Sequence, residues 1–160
     1  FIATLTYYLT KKKIFVFEIN KHILPTLKKN LKLNKCIFKL FSKNLTINEK
    51  EKVKTFYLSK DFLDTTSRQI KKKKLIIKNI DYKKIDKKRY FNTLIIDAEG
   101  DEEYYIQSLK NLKNIKYIFF ELHHNLFKKK QIKKIMETLK KNKFFKKDRC
   151  FNSYYFIRRN

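Results

Sequence analysis

An α/β fold with a mostly parallel sheet covered by helices on both faces is what the sequence predicts, on three observations. Short continuous apolar runs end in an acid, at residues 14–18 (Ile-Phe-Val-Phe-Glu) and 93–97 (Thr-Leu-Ile-Ile-Asp), the pattern of strands buried on both faces. Stripes of helical spacing alternate with such runs, and that alternation sets successive strands parallel. The chain has one glycine and one proline in 160 residues, so no linker divides it and a single domain over residues 1–160 is expected.

Taken in order, Ile2, Leu5 and Leu9, with Ala3 and Tyr8 alongside, give a short helical stripe closed by the cationic Lys11, Lys12 and Lys13. The strand at 14–18 follows. Ile23, Leu24, Leu27 and Leu31 then recur at helical spacing through Asn34. Pro25 requires this helix to start late or bend, because an interior proline removes a backbone donor. Residues 37–41 read as a second strand. Residues 52–59 alternate, with Val53, Thr55 and Tyr57 opposing Phe56 and Leu58, and residues 75–80 are another strand-like run. The two are expected to pair antiparallel across a polar loop at 61–69. After the strand at 93–97, a helix over 101–112 carries acids in its first turn, where the helix dipole favours them. Residues 115–122 form a further strand. Ile132, Ile135, Met136 and Leu139 make a strict i, i+3, i+4, i+7 stripe on a lysine-rich helix, which core packing explains. Phe144 and Phe145, with residues 154–157, point to a closing hairpin.

The formal charge is +26, from 41 Lys and Arg against 15 Asp and Glu. Such a balance ordinarily raises nucleic acid or an anionic membrane as a partner. Only Arg68, Arg89, Arg149, Arg158 and Arg159 are arginines, however, and bidentate reading of bases or phosphates favours arginine. Lys, Ile, Asn and Phe are abundant together, the joint bias that an AT-rich genome imposes on an exposed surface. Weak non-specific polyanion binding is expected in either case. No apolar run reaches the eighteen or so residues of a membrane helix. The start is too short and polar for a signal peptide, and its abrupt opening on a helix reads as a truncated frame. Cys36 and Cys150 lie far apart with no metal-ligand spacing, as expected of reduced thiols in a cytoplasmic protein.

In open α/β sheets, ligands gather outside the carboxyl ends of the strands, which puts Glu18, Ser42, Asp97 and Glu121 around one rim. Glu18 suits either a cofactor's ribose hydroxyls or the capping of the next helix, and spacing alone does not separate these. Asp97-Ala98-Glu99-Gly100-Asp101-Glu102-Glu103 is the densest acidic stretch. Charges at the end of a buried strand are costly without a partner or a task. Dipole-favourable acids account for Glu102 and Glu103, less easily for Asp97 and Glu99. Gly100 permits a sharp turn or a close approach to a ligand. His123 and His124 adjoin the same rim, where exposed loop imidazoles are the default. A base or positioning role for His123 is the sharper alternative. Adjacent histidines point apart and make a poor metal pair.

These residues, in order, resemble the FkbM-type methyltransferases, a branch of the Rossmann-like class I enzymes. The family strand ending Phe-Glu-Pro-Asn is similar to Phe17-Glu18-Ile19-Asn20, and its helical Leu-Lys-x-Asn to Leu27-Lys28-Lys29-Asn30, with Asn34 in the next place. Ser42-Lys43-Asn44-Leu45-Thr46 stands where the family has a small-residue turn, Lys43 departing from the pattern. The strand from Val53 and the polar Thr65-Thr66-Ser67 resemble the family's inserted hairpin. Asp97-Ala98-Glu99-Gly100-Asp101-Glu102 matches its hallmark Asp-x-Glu-Gly-x-Glu, and Phe119-Phe120-Glu121-Leu122-His123 resembles the next strand. The resemblance implies a Rossmann-like class I fold with that inserted hairpin and a C-terminal antiparallel hairpin. It also implies that the family's first strand and glycine loop would precede Phe1. Without them, this stretch alone is expected to be unstable or inactive.

The implied activity is methyl transfer from S-adenosylmethionine, to a hydroxyl of a saccharide or glycan-type acceptor. Glu18 would then serve the ribose, Asn20 would join it in binding the cofactor, and Ser42 and Lys43 would lie beside the adenine. Asp97 would work near cofactor and acceptor, Glu99 would be the better base, and His123 a helper. Two other classes compete. A nucleic-acid-binding module would need aromatics interleaved with lysines on one exposed face, whereas most aromatics here fall inside strand runs. A metal-dependent hydrolase on Asp97, Glu99, Glu121 and His123 would suit Mg²⁺ or Mn²⁺, although no ligand set has diagnostic spacing.

Overall fold

The computed structural model describes residues 2–48, 50–58, 65–66, 73–87 and 91–159. The chain divides into two compact units, Phe1–Thr65 with Gln69–Asp81 and Thr66–Arg68 with Tyr82–Asn160.

In the first unit, α1 (Ile2–Thr10) leads to β1 (Ile14–Phe17), α2 (Leu24–Leu33) and β2 (Phe38–Phe41). β1 and β2 pair in parallel, Ile14 opposite Phe38 and Phe17 opposite Phe41. Their aromatic rings stack on one face, Phe17 and Phe41 at 4.9 Å between centroids. Pro25 sits in the first turn of α2, where no intrahelical donor is lost, so the helix starts late rather than bending. β3 (Asn44–Thr46), β4 (Val53–Leu58), β5 (Thr65–Thr66) and β6 (Lys73–Asp81) form a second sheet in the order β3-β6-β4-β5. β4 and β6 pair antiparallel, as their alternation implies, while β3 and β6 are parallel. Asn44 and Asn79 face each other in that register and hydrogen-bond at 2.9 Å. Thr65 and Thr66, read as loop, are strand; the rest of 61–69, Ser67 included, lies outside the described residues. Leu31, Ile47 and Phe56 are buried. The stripe on α1 does form a helix, yet Ile2, Leu5 and Leu9 remain exposed.

The second unit contains α3 (Tyr82–Ile85), β7 (Thr93–Ile96), α4 (Glu102–Gln107), β8 (Tyr117–Glu121), α5 (Lys129–Lys141), β9 (Phe144–Cys150) and β10 (Ser153–Arg158). Its sheet runs β7-β8-β10-β9. β7 and β8 are parallel, Thr93 opposite Tyr117 and Ile96 opposite Phe120, and β10 is antiparallel to both β8 and β9. Ile118, Phe120, Tyr154 and Phe156 bury one face of this sheet. On the other face Ile95 is 37% and Phe119 40% exposed. The stripe on α5 is core: Ile135 and Leu139 are fully buried, with Ile132 and Met136 half-buried. Gln131 ties α5 to α4, its amide donating to Glu103 at 2.9 Å.

Two expectations are corrected. The fold is mixed α/β, but the described strands form three small sheets with parallel and antiparallel pairs rather than one mostly parallel sheet. Apolar runs mark strands without encoding partners, and partner choice is a long-range matter. The helix expected over 101–112 ends at Gln107 and gives way to a 3-10 turn, Leu109–Asn111. There the Ser108 hydroxyl donates to the Tyr104 carbonyl, and the backbone N–H of Ser108 reaches the Tyr104 and Tyr105 carbonyls. Among the described residues no helix is long and apolar enough to cross a membrane.

Candidate functional site

The site is built where β7 and β8 end. As parallel neighbours in register, they deliver the residues after Ile96 and Glu121 to the same end of the sheet. Beyond β7 the chain reverses through Glu99 (φ 43°) and Gly100 (φ 103°). Glycine enters the left-handed region freely, whereas a side chain there costs about 1–2 kcal/mol. The turn thus holds Glu99 in a conformation that its own preferences oppose.

Glu102 opens α4 and is completely buried. A buried carboxylate must be hydrogen-bonded to persist. Here Oε2 accepts the Gly100 N–H at 2.9 Å, and Oε1 lies 2.5 Å from Nδ1 of His123. His123 follows β8 by two residues, and its ring stands between Glu102 behind and the rim carboxylates in front. Its Nε2 is 3.1 Å from Oε1 of Glu99 and 3.9 Å from Oδ1 of Asp97. Buried carboxylate, imidazole and rim carboxylates therefore line up, with the imidazole's orientation fixed from the buried side.

Electrostatics follow from this geometry. The hydrogen bond to Glu102 raises the His123 imidazole to about 9; partial burial opposes the rise, and the charges of Glu102, Glu99 and Asp97 assist it. At neutral pH His123 is a cation. Asp97 is held above the usual carboxylate range by partial loss of hydration, then by repulsion from Glu121, with Glu102 adding to it and His123 opposing. Such strained ionisation at a sheet rim is common at functional sites.

The structure brings Asp97, Glu99 and His123 together. Their donor atoms all lie within 4.8 Å of one another. His124 turns away, its Nε2 3.4 Å from the Tyr154 hydroxyl, as adjacent residues at a strand end should. Glu18, Asn20, Ser42 and Lys43 belong to the first unit. Glu18 follows β1, and its Oε1 accepts the Asn20 N–H at 2.7 Å. Asn20 is buried and accepts the His22 N–H at 3.0 Å, so its carboxamide shapes the turn into α2. Ser42 and Lys43 sit in an exposed bend after β2.

Glu102 is the residue that composition and spacing miss. As a first-turn acid it is explained by the helix dipole alone, yet it is the buried anchor of His123. Its place in the Asp-x-Glu-Gly-x-Glu pattern is the one signal in the sequence that sets it apart from Glu103. No family model, curated protein or solved structure matches this chain.

Proposed function

We propose that the chain is a methyltransferase using S-adenosylmethionine to methylate a hydroxyl group, with the rim around His123 as its acceptor side. One observation carries this reading. The Asp-x-Glu-Gly-x-Glu stretch leaves one strand of a parallel pair, and its last acid holds the histidine that leaves the other.

The fit of the chain's residues to the cofactor is uneven. Glu18, half-buried just beyond a parallel strand, suits a pair of ribose hydroxyls. Asn20, with its side chain turned to His22, suits a turn-forming role instead. When bound, the cofactor supplies an electrophilic methyl on a sulfonium. The chain must present a hydroxyl oxygen in line with it and remove the hydroxyl proton as the new bond forms.

Glu99 is the acceptor of that proton, because His123 already carries its own at neutral pH. His123, 3.1 Å from Glu99, holds that carboxylate in place, and Glu102 holds His123. A saccharide or glycan-type hydroxyl is the acceptor class that the family resemblance favours.

The test uses the complete reading frame that contains this chain, with methyl-labelled cofactor and a panel of saccharide acceptors. Glu99→Gln should lower kcat about 10²–10⁴-fold, the usual worth of a general base, and leave the affinity for S-adenosylhomocysteine unchanged. Absence of label transfer to any hydroxyl acceptor, or an undiminished kcat in Glu99→Gln, would overturn the assignment.

A further inference from the structure

We infer that Asp97, Glu99 and His123 form a binding site for one divalent transition-metal cation of the Mn²⁺ type. This inference goes beyond methyl transfer and does not depend on it; a bound ion would displace the Nε2 proton of His123 and replace its contact with Glu99, so the proton-acceptor role of Glu99 belongs to the metal-free site.

The donor set carries the inference. Oδ1 of Asp97, Oε1 of Glu99 and Nε2 of His123 lie within 4.8 Å of one another, the shortest separation being 3.1 Å. Ligands bound at about 2.0–2.2 Å to a common ion stand roughly 3–4 Å apart. Closure around an ion therefore needs only small side-chain rotations of Asp97, whose side chain is 44% exposed.

A second observation concerns the far side of the imidazole. Nδ1 meets Glu102, which is 0% exposed and has its other oxygen on the Gly100 N–H. A ligating histidine is typically held in this way: a carboxylate takes one ring N–H, and the metal displaces the proton on the other nitrogen. Helix capping explains neither the burial of Glu102 nor its aim at His123.

Two oxygens and one imidazole nitrogen select the cation. All-oxygen sites suit Mg²⁺ and Ca²⁺, while an imidazole moves preference toward first-row metals. The half-exposed Asp97 side leaves coordination positions open to water or to a hydroxyl-bearing ligand.

The experiment is a titration of the purified, chelator-treated chain with MnCl2, without any cofactor. Melting temperature and the broadening of the His123 ring NMR signals are both followed. The expected result is a saturable rise in melting temperature below about 1 mM, following the linkage of ligand to the folded state. Selective broadening of the His123 signals should accompany it. Asp97→Asn and Glu99→Gln, both at the rim, should weaken binding at least tenfold, and Glu102→Gln about 10–100-fold as an outer-shell change. Absence of saturable binding, or wild-type affinity in both rim variants, would overturn the site. Either result leaves label transfer from S-adenosylmethionine as a separate question, so the two readings fail separately.

Discussion

At neutral pH the imidazole of His123 carries both protons, because Glu102 behind it and Glu99 and Asp97 in front all favour the cation. Its folded-state value of about 9 lies above its unfolded value near 6.5. The stabilisation from this network is therefore complete below about pH 6.5 and is lost as pH rises through about 9. In the metal-free protein, Glu102→Gln should move the His123 titration down toward its ordinary value, as read from the ring signals by NMR. It should also flatten the pH dependence of unfolding over that window. An unchanged titration would mean that Glu102 does not govern His123. Asp97 works in the opposite sense. Its pKa is raised, so ionisation at neutral pH opposes folding. Asp97→Asn should raise the melting temperature at pH 7 and lose that advantage in acid, where Asp97 is itself neutral. A lower melting temperature at pH 7 would contradict this. Among the site residues, Asp97 and Glu99 are legible from sequence because charge at the end of a buried strand demands a reason. Glu102 is not, since burial of one particular acid depends on where β8 delivers His123.

The elements around the site divide into those fixed by local pattern and those fixed by distant partners. The stripe on α5 belongs to the first kind and makes a quantitative expectation possible. Leu139→Ala removes a fully buried side chain and should cost about 2–5 kcal/mol in denaturant unfolding. Lys133→Ala breaks only an exposed pair with Glu137 at 3.9 Å and should stay within about 0.5 kcal/mol. Similar losses for the two would mean that α5 is not seated as described. α1 shows how pattern can mislead: the spacing of Ile2, Leu5 and Leu9 gives the helix correctly, yet these side chains stay exposed. α4 ends at Gln107, with Ser108 as its C-cap, short of the end that the apolar pattern suggests.

For the molecule as a whole, the α/β class was legible and the sheet arrangement was not. The parallel pairs β1–β2 and β7–β8 come from the two acid-ended runs that the sequence displays openly. That β10 lies between β8 and β9, and that β6 joins β3 as well as β4, are long-range pairings with no counterpart in local spacing. The apolar core is also unevenly shared. Among the described residues most buried apolar side chains belong to the second unit, the one that carries the His123 cluster. A rigid scaffold behind Glu102 is what a preorganised site requires. The most direct test of the methyl-transfer reading is calorimetric titration of the complete reading frame with S-adenosylhomocysteine. One saturable site per chain is expected, weakened at least tenfold by Glu18→Ala, the loss of a charge-assisted hydrogen bond. No binding, or equal binding by wild type and Glu18→Ala, would contradict it.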